Sequence, residues 1–293
     1  MNSSKPPHRS IAYTMEALQL AQLIFFQDGW NRKSMEDGTR HAFSPDYDAR
    51  RFVGPQDNDT AEYLAKHLSS MCHYTLETVL DYPIMRGEGL ENKAIILLYP
   101  KGSDIPCAFN VAFFWYLQDG TPCIHYGLFI VTPKHQRKGI QSPMGFVNIY
   151  LLLKKMNART VWVTDLGRSA SGSRHFVNFM SQVYPQPKID HKDVDEAKKH
   201  AIQLQVAQEF HQRFQKDAGI SPQSKLRGMV IQGSNQAGGA VALVSANAST
   251  RSRQSEYNQW IDTMCPEPED EVIMVGQFNI GQWIAREVSK KLW

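Results

Sequence analysis

Cysteine is scarce. The 293 residues hold four, Cys72, Cys107, Cys123 and Cys265, and no two stand in a CxxC or Cys/His ligand spacing. That scarcity excludes the common zinc patterns and a disulfide scaffold, and leaves structural thiols of a reduced intracellular chain as the expectation. Long apolar runs are missing too. The most apolar stretches, 18–26 and 146–153, are too short to span a bilayer. The opening "MNSSKPPHRS" lacks the design of a signal peptide, so the expected compartment is the cytoplasm and no membrane contact is expected. Charge of one sign is also absent: 32 Lys and Arg against 29 Asp and Glu give a formal +3. So small an excess gives no reason to expect a nucleic-acid partner. No GxSxG elbow is present, which leaves serine-hydrolase chemistry with little support.

What is there is an ordinary globular composition, 42% hydrophobic and 21% charged, in a chain long enough for one large domain or two small ones. Residues 13–26 are expected to be helical, and 28–57, rich in Gly, Asp, Asn, Arg and Pro, a long loop with at most one short strand. In "DTAEYLAKHLSSMCHYTLETVL", Ala61, Leu64, Ala65, Leu68, Met71, Cys72, Thr75, Leu76 and Val79 follow helical spacing, with Asp59 or Thr60 as the N-cap. Three strand-like runs follow, "AIILLYP", "PCAFNVAFFWYL" and "CIHYGLFIVTP", separated by "KGSD" and "QDGTP". They predict an antiparallel meander. A loop, a helix and the β-branched run "TVWVTDL" come next, the makings of a parallel strand pair. Residues 188–217 read as one amphipathic helix with a stripe of Val194, Ala197, Ala201, Leu204, Ala207, Phe210 and Phe214. "GMVIQG" and "EVIMVGQF" read as late strands, the second buried on one face or at a sheet edge. The small-residue stretch "SNQAGGAVALVSANASTRSRQ" suits either a strand or a loop, and no internal repeat is present.

The stretch "IVTPKHQRKGIQSPMGFVNIYLLLKKM", residues 130–156, passes from strand through a basic loop into an apolar helix. Ser142 before Pro143 is a helix-start signal, since serine caps and proline sacrifices only an amide that has no partner there. The amides of Arg137, Lys138, Gly139, Ile140, Gln141 and Ser142 are thus expected to converge on an anion, with two cations beside them and a glycine allowing close approach. Strand, Q-R-K-G-I-Q, helix resembles the pyrophosphate loop of the GNAT (GCN5-related N-acetyltransferase) superfamily. Gln136 and Gly139 match the family pattern, and Gln141 stands where Gly or Ala is usual. The order of elements over 11–185 is also the family's. The fold this implies is an α/β (α+β) one: a mixed, mostly antiparallel central sheet flanked by helices, with extended N- and C-terminal parts. The whole chain, 1–293, would be one domain: a polar tail 1–10, an acyl-CoA-binding core 11–185, and 186–293 completing the sheet and the acceptor site.

The resemblance implies an acyltransferase that moves an acetyl or longer acyl group from acyl-CoA to an amine-bearing acceptor, small molecule or protein, with no metal. It places the pantetheine arm between two splayed strands, against amides near Phe129, Ile130 and Val131. Gly127, inside a strand, fits a bulge or a packing glycine. Many relatives carry Glu as base in that strand; here the titratable residues are His125 and Tyr126. His125, with an ordinary pKa near 6.5, is either the base or a structural histidine. Asp165 is the second candidate, or else a turn carboxylate. The usual acid is a Tyr on the helix after the next strand. Phe179 or Met180 falls near that place, so Tyr184 is the candidate, or a structural aromatic before Pro185. Ser169, Ser171 and Ser173 around Gly172 suit either the adenosine or pantetheine end or a simple loop. Aromatic residues 113–116 suit an acyl groove or a sheet core. Two alternatives stand beside this reading: a non-catalytic acyl-CoA-binding protein of the same shape, and an N-acyl amino acid or acyl-homoserine lactone-type synthase fed by an acyl carrier protein that would meet Lys134, Arg137 and Lys138.

Overall fold

A strand pair opens the described structure where the composition promised a loop. The computed structural model describes residues 37–77, 80–187, 200–234 and 255–283. The expected helix 13–26, the stretch 188–199 and the ambiguous segment after 234 up to 254 lie outside those residues. β1 (Asp37–Ala42) and β2 (Tyr47–Val53) form an antiparallel hairpin. Tyr47 and Ala49 alternate into the core between partly exposed polar residues, and Arg40 Nε bonds Asp48 Oδ2 across the pair at 3.0 Å. The period of two was there, hidden under a polar composition.

α1 (Asn58–Leu76) starts one or two residues before the expected cap: Asp57 accepts from the Thr60 N–H at 2.8 Å. Leu64, Leu68, Met71 and Cys72 bury its apolar stripe. The meander forms as expected: β3 (Lys93–Pro100), β4 (Ala108–Tyr116) and β5 (Pro122–Val131) pair antiparallel in sequence order. α2 (Gln141–Lys155) then crosses over to β6 (Thr160–Gly167), which lies parallel to β5. After α3 (Ala170–Phe179), β7 (Ser181–Tyr184), α4 (Ala201–Phe214), β8 (Lys225–Arg227), β9 (Val230–Gln232) and α5 (Ser255–Met264), the described chain ends its sheet with β10 (Glu271–Asn279).

β10 corrects the expectation of an edge or one-faced strand. It lies between β6 on one side and β9 and β7 on the other, in the order β1-β2-β3-β4-β5-β6-β10-β9-β8. Its residues 271–276 and Phe278 are buried, because helices cover both faces of the sheet there. α2, α3 and α5 pack on one face and α1 and α4 on the other. The architecture is the expected mixed, mostly antiparallel sheet between helical layers. Among the described residues no helix is long and apolar enough to cross a membrane.

Val272, Ile273, Met274, Val275 and Phe278 are each at most 1% exposed. At roughly 1.5–3 kcal/mol per buried side chain, they match the whole net stability of a domain, about 5–15 kcal/mol. A chain truncated after Pro185 should therefore lose its cooperative thermal transition and precipitate or turn molten. A soluble fragment 1–185 with a sharp calorimetric melt would show instead that the C-terminal part is an appended module.

Candidate active site

β5 and β6 pair for only three residues. Cys123 faces Trp162, Ile124 faces Val163 and His125 faces Thr164; there the ladder stops, although β5 continues to Val131 and β6 to Gly167. The cause sits on the other edge of β5. Phe129 faces Asn110 and Tyr126 faces Ala112, so β5 carries one residue more than β4 between those pairs. This is a bulge at Gly127 and Leu128, which bends the strand away from β6. Glycine is needed there: a Cβ on Gly127 would lie 2.8 Å from the Val111 carbonyl oxygen. The result is an opening in the ladder between β5 and β6.

A cavity lies on each face beside that opening, and Tyr126, Gly127, Phe129 and Leu166 line both. The first, about 160 Å³, lies between α2 and α3 and takes in Gln141, Ser142, Gly145, Asp165, Ser169 and Ser173. The second, about 210 Å³, lies on the α4 side and takes in Tyr82, Phe113, His125, Asp217 and Glu271. Tyr126 is the partition. Its hydroxyl end reaches α2 where Gly145 leaves room, since a Cβ there would come 2.3 Å from Tyr126 Oη.

The basic loop borders the first cavity. Arg137 (φ 62°) and Gly139 (φ 75°) are left-handed, on either side of Lys138. Backbone of alternating hand turns neighbouring amides toward one side, the geometry that holds anions. α2 begins at Gln141 with Ile140 as its N-cap and no side-chain cap. Ser142 is thus inside the helix, not the expected cap, and the buried Pro143 follows it. Met144 is the first amide to bond back, to the Ile140 carbonyl at 3.2 Å, so the amides of Gln141 and Ser142 stand at the positive end of α2 without helical partners. Gln136 turns away: its Nε2 donates to the Val131 carbonyl at 3.0 Å and ties the loop to the end of β5. Arg137 and Lys138 are exposed. Of the other expected donor residues, Phe129 lines both cavities, Ile130 packs into the α1–α4 layer and Val131 against the α2–α3 layer. Ser173 is 2% exposed on the first cavity wall, and Ser169 caps α3 by accepting from the Gly172 N–H.

The expected catalytic residues separate. His125 lines the second cavity, its Nδ1 2.9 Å from Thr164 Oγ1 and its ring stacked 4.1 Å from that of Phe210. Burial pushes its pKa down to about 3. An imidazole so held is neutral at physiological pH. Tyr184 is buried in β7, stacked on His200, and lines neither cavity. Asp165 does line the first cavity. Burial, and then the charge of Glu271, push its carboxyl up to about 7, against a lowering hydrogen bond from the Leu166 backbone. Tyr126 is held above the usual phenol range by burial and then by Asp165. Glu271 was not singled out from the sequence, and Tyr126 was named there only as the second titratable residue of its strand. Tyr126 stood beside the more obvious histidine, one residue along and so on the opposite face. Glu271 sits over a hundred positions from β5, and only the sheet order joins them.

No protein-family profile matches the chain, and no curated protein does. Among solved structures 109 chains match it. One is an aminoglycoside N-acetyltransferase in complex with CoA (TM-score 0.29, 12% identity, 41% of this chain and 75% of that one). Another is a ribosomal-protein-alanine N-acetyltransferase from Brucella melitensis biovar Abortus 2308 (0.30, 14%, 40% and 78%). A third is glucosamine-6-phosphate N-acetyltransferase from Arabidopsis thaliana (0.29, 12%, 40% and 80%). Likeness at these scores carries no argument of its own. What this chain's own geometry gives is the order itself: meander, basic loop, crossover helix, parallel strand, and a bulge where the strand pair parts.

Asp165 yields a test of the site's electrostatics. Its folded pKa, about 7, lies above the ordinary 3.8, so between those values the folded chain keeps a proton that the unfolded chain releases. Stability from this group is full at low pH and is lost as pH rises toward 7. The melting temperature of Asp165→Asn relative to wild type should therefore rise between pH 5 and pH 8. A difference that stays constant across that window would place Asp165 in water.

Proposed function

We propose that this chain transfers an acyl group from an acyl-CoA to the amine of an acceptor, the donor entering the first cavity and the acceptor the second. One observation carries the reading: the two cavities lie on opposite faces of the sheet and share the lining of a single opening. A two-substrate transfer needs such an arrangement, because both reactants must be held apart from water yet touch at one point. The loop and helix start at residues 137–142 suit a pyrophosphate, and the backbone of 129–131 left unpaired toward β6 suits an amide-bearing arm laid along it. Phe129, Phe146, Phe176 and Phe179 make the first cavity wall apolar, as an acyl thioester requires.

The bound donor supplies an activated thioester carbonyl. The chain's own residues then have three tasks: to exclude water, to take a proton from the attacking amine, and to return one to the departing sulfur. As the N–C bond forms and the C–S bond breaks, Asp165 takes the amine proton and Tyr126, protonated at neutral pH, gives its own to the thiolate. A carboxyl near 7 is matched to a base role at physiological pH, and a phenol facing the donor side is placed for the acid role. The role expected of Tyr184 passes to Tyr126.

Gly139→Asp puts an anion into the proposed phosphate loop and should weaken CoA binding at least tenfold, about 1.4 kcal/mol, with the melt retained. Unchanged affinity by calorimetry would remove the loop from the site. Tyr126→Phe and Asp165→Asn should each lower thiol release from acetyl-CoA by roughly a hundredfold or more while CoA still binds. With one acceptor used throughout, the wild-type rate should climb with pH through about 7 on a limb that Asp165→Asn lacks. A limb that persists in the variant would belong to another group.

A further inference from the structure

The second cavity has a chemistry of its own. Its walls at Tyr82, Ile84, Val111 and Phe113 are largely apolar, and the charged residues in its lining are two carboxylates, Asp217 and Glu271, with no Lys or Arg. Asp217 is paired with Lys93, whose Nζ lies 3.3 Å from Asp217 Oδ2 and 4.8 Å from the ring centroid of Phe113, and whose side chain is 1% exposed. Glu271 is fixed by the Ser234 hydroxyl, which donates to its Oε2. Two further polar groups point to a ligand. His125 is 4% exposed, its Nδ1 is engaged by Thr164, and its Nε2 has no hydrogen-bond partner among the described residues. The ring edge carrying that nitrogen faces Gly127 at the opening: a Cβ there would lie 3.4 Å from His125 Cδ2. The Tyr82 hydroxyl likewise has no hydrogen-bond partner among the described residues, and Glu271 is close enough to act on it electrostatically.

Position separates these groups into two stations. Leu166 and Gly127 line the opening, and Leu166 faces Ile273 across β6 and β10. Glu271 lies two residues beyond Ile273 on the same face, roughly 7 Å along the strand. A reacting amine must be neutral when it attacks, and at the opening it meets the neutral imidazole of His125. A second, permanently protonated centre belongs farther along the cavity, beyond Ile273, at the carboxylates.

We infer that the acceptor is a small diamine, one nitrogen presented at the opening beside His125 and the other held as an ammonium by Glu271 and Asp217. This rests on the acyl-transfer reading for the word acceptor, but not for the binding site itself. The test is calorimetric titration of the full chain with 1,4-diaminobutane and with n-butylamine. The diamine should bind at least tenfold more tightly. Glu271→Gln should erase that preference and Glu271→Asp should keep part of it; thermal melts check that each variant folds. Equal affinity for the two amines, no binding of the diamine to wild type, or a preference that survives in Glu271→Gln overturns the inference. Glu271-dependent diamine binding without thiol release from acetyl-CoA would leave the cation site standing and refute acyl transfer. Thiol release with n-butylamine as readily as with the diamine would do the reverse.

Discussion

The parting of β5 from β6 is the constraint on which the rest of the structure turns. Two strands that pair for three residues and then diverge leave backbone donors and acceptors facing a gap, and buried backbone groups need partners. The bulge at Gly127 drives the divergence, and Tyr126, lodged against Gly145 of α2, holds it. The same divergence makes room for two cavities that share part of their lining. A straight β5, fully paired to β6, would give a better sheet and no site.

Burial then divides the chemistry between the two faces. On the donor side the desolvated Asp165 titrates near 7, beside a phenol that stays protonated. On the other face burial keeps His125 neutral, and Asp217 and Glu271 line the same cavity. One physical cause, loss of water, acts oppositely on acid and base: it raises the carboxyl and lowers the imidazole. The loop before α2 works by other means, through left-handed residues that gather amides and a helix start left uncapped by any side chain.

Local pattern carried the elements well. The meander, the loop and the crossover to a parallel strand were legible because each rests on period and turn chemistry within a short window. The β1–β2 hairpin was not, since Arg40, Asp48 and Arg50 mask its alternation. β10 was read as one-faced or at an edge because its run of 271–276 says nothing of which strands would flank it; it proved central, covered on both faces. The site shows the same division. Gly127 and the 137–142 loop are local features and could be singled out. Tyr126 and Glu271 acquire meaning only from which face a strand residue takes and which strand lies beside it. His125 was favoured on its ordinary pKa, and burial under Phe210 and Phe113 is a tertiary fact no residue count contains.

The central claim is that the gap between β5 and β6, together with the loop leading into α2, receives an acyl-CoA. Hydrogen–deuterium exchange with and without acetyl-CoA reads it most directly, because the claim concerns backbone amides that the free protein leaves unpaired. Binding should slow exchange in the peptides covering 127–131 and 137–142 and leave α1 and the β1–β2 hairpin unchanged. Slowed exchange elsewhere with those two stretches unaffected, or no change anywhere at a saturating concentration, would contradict it.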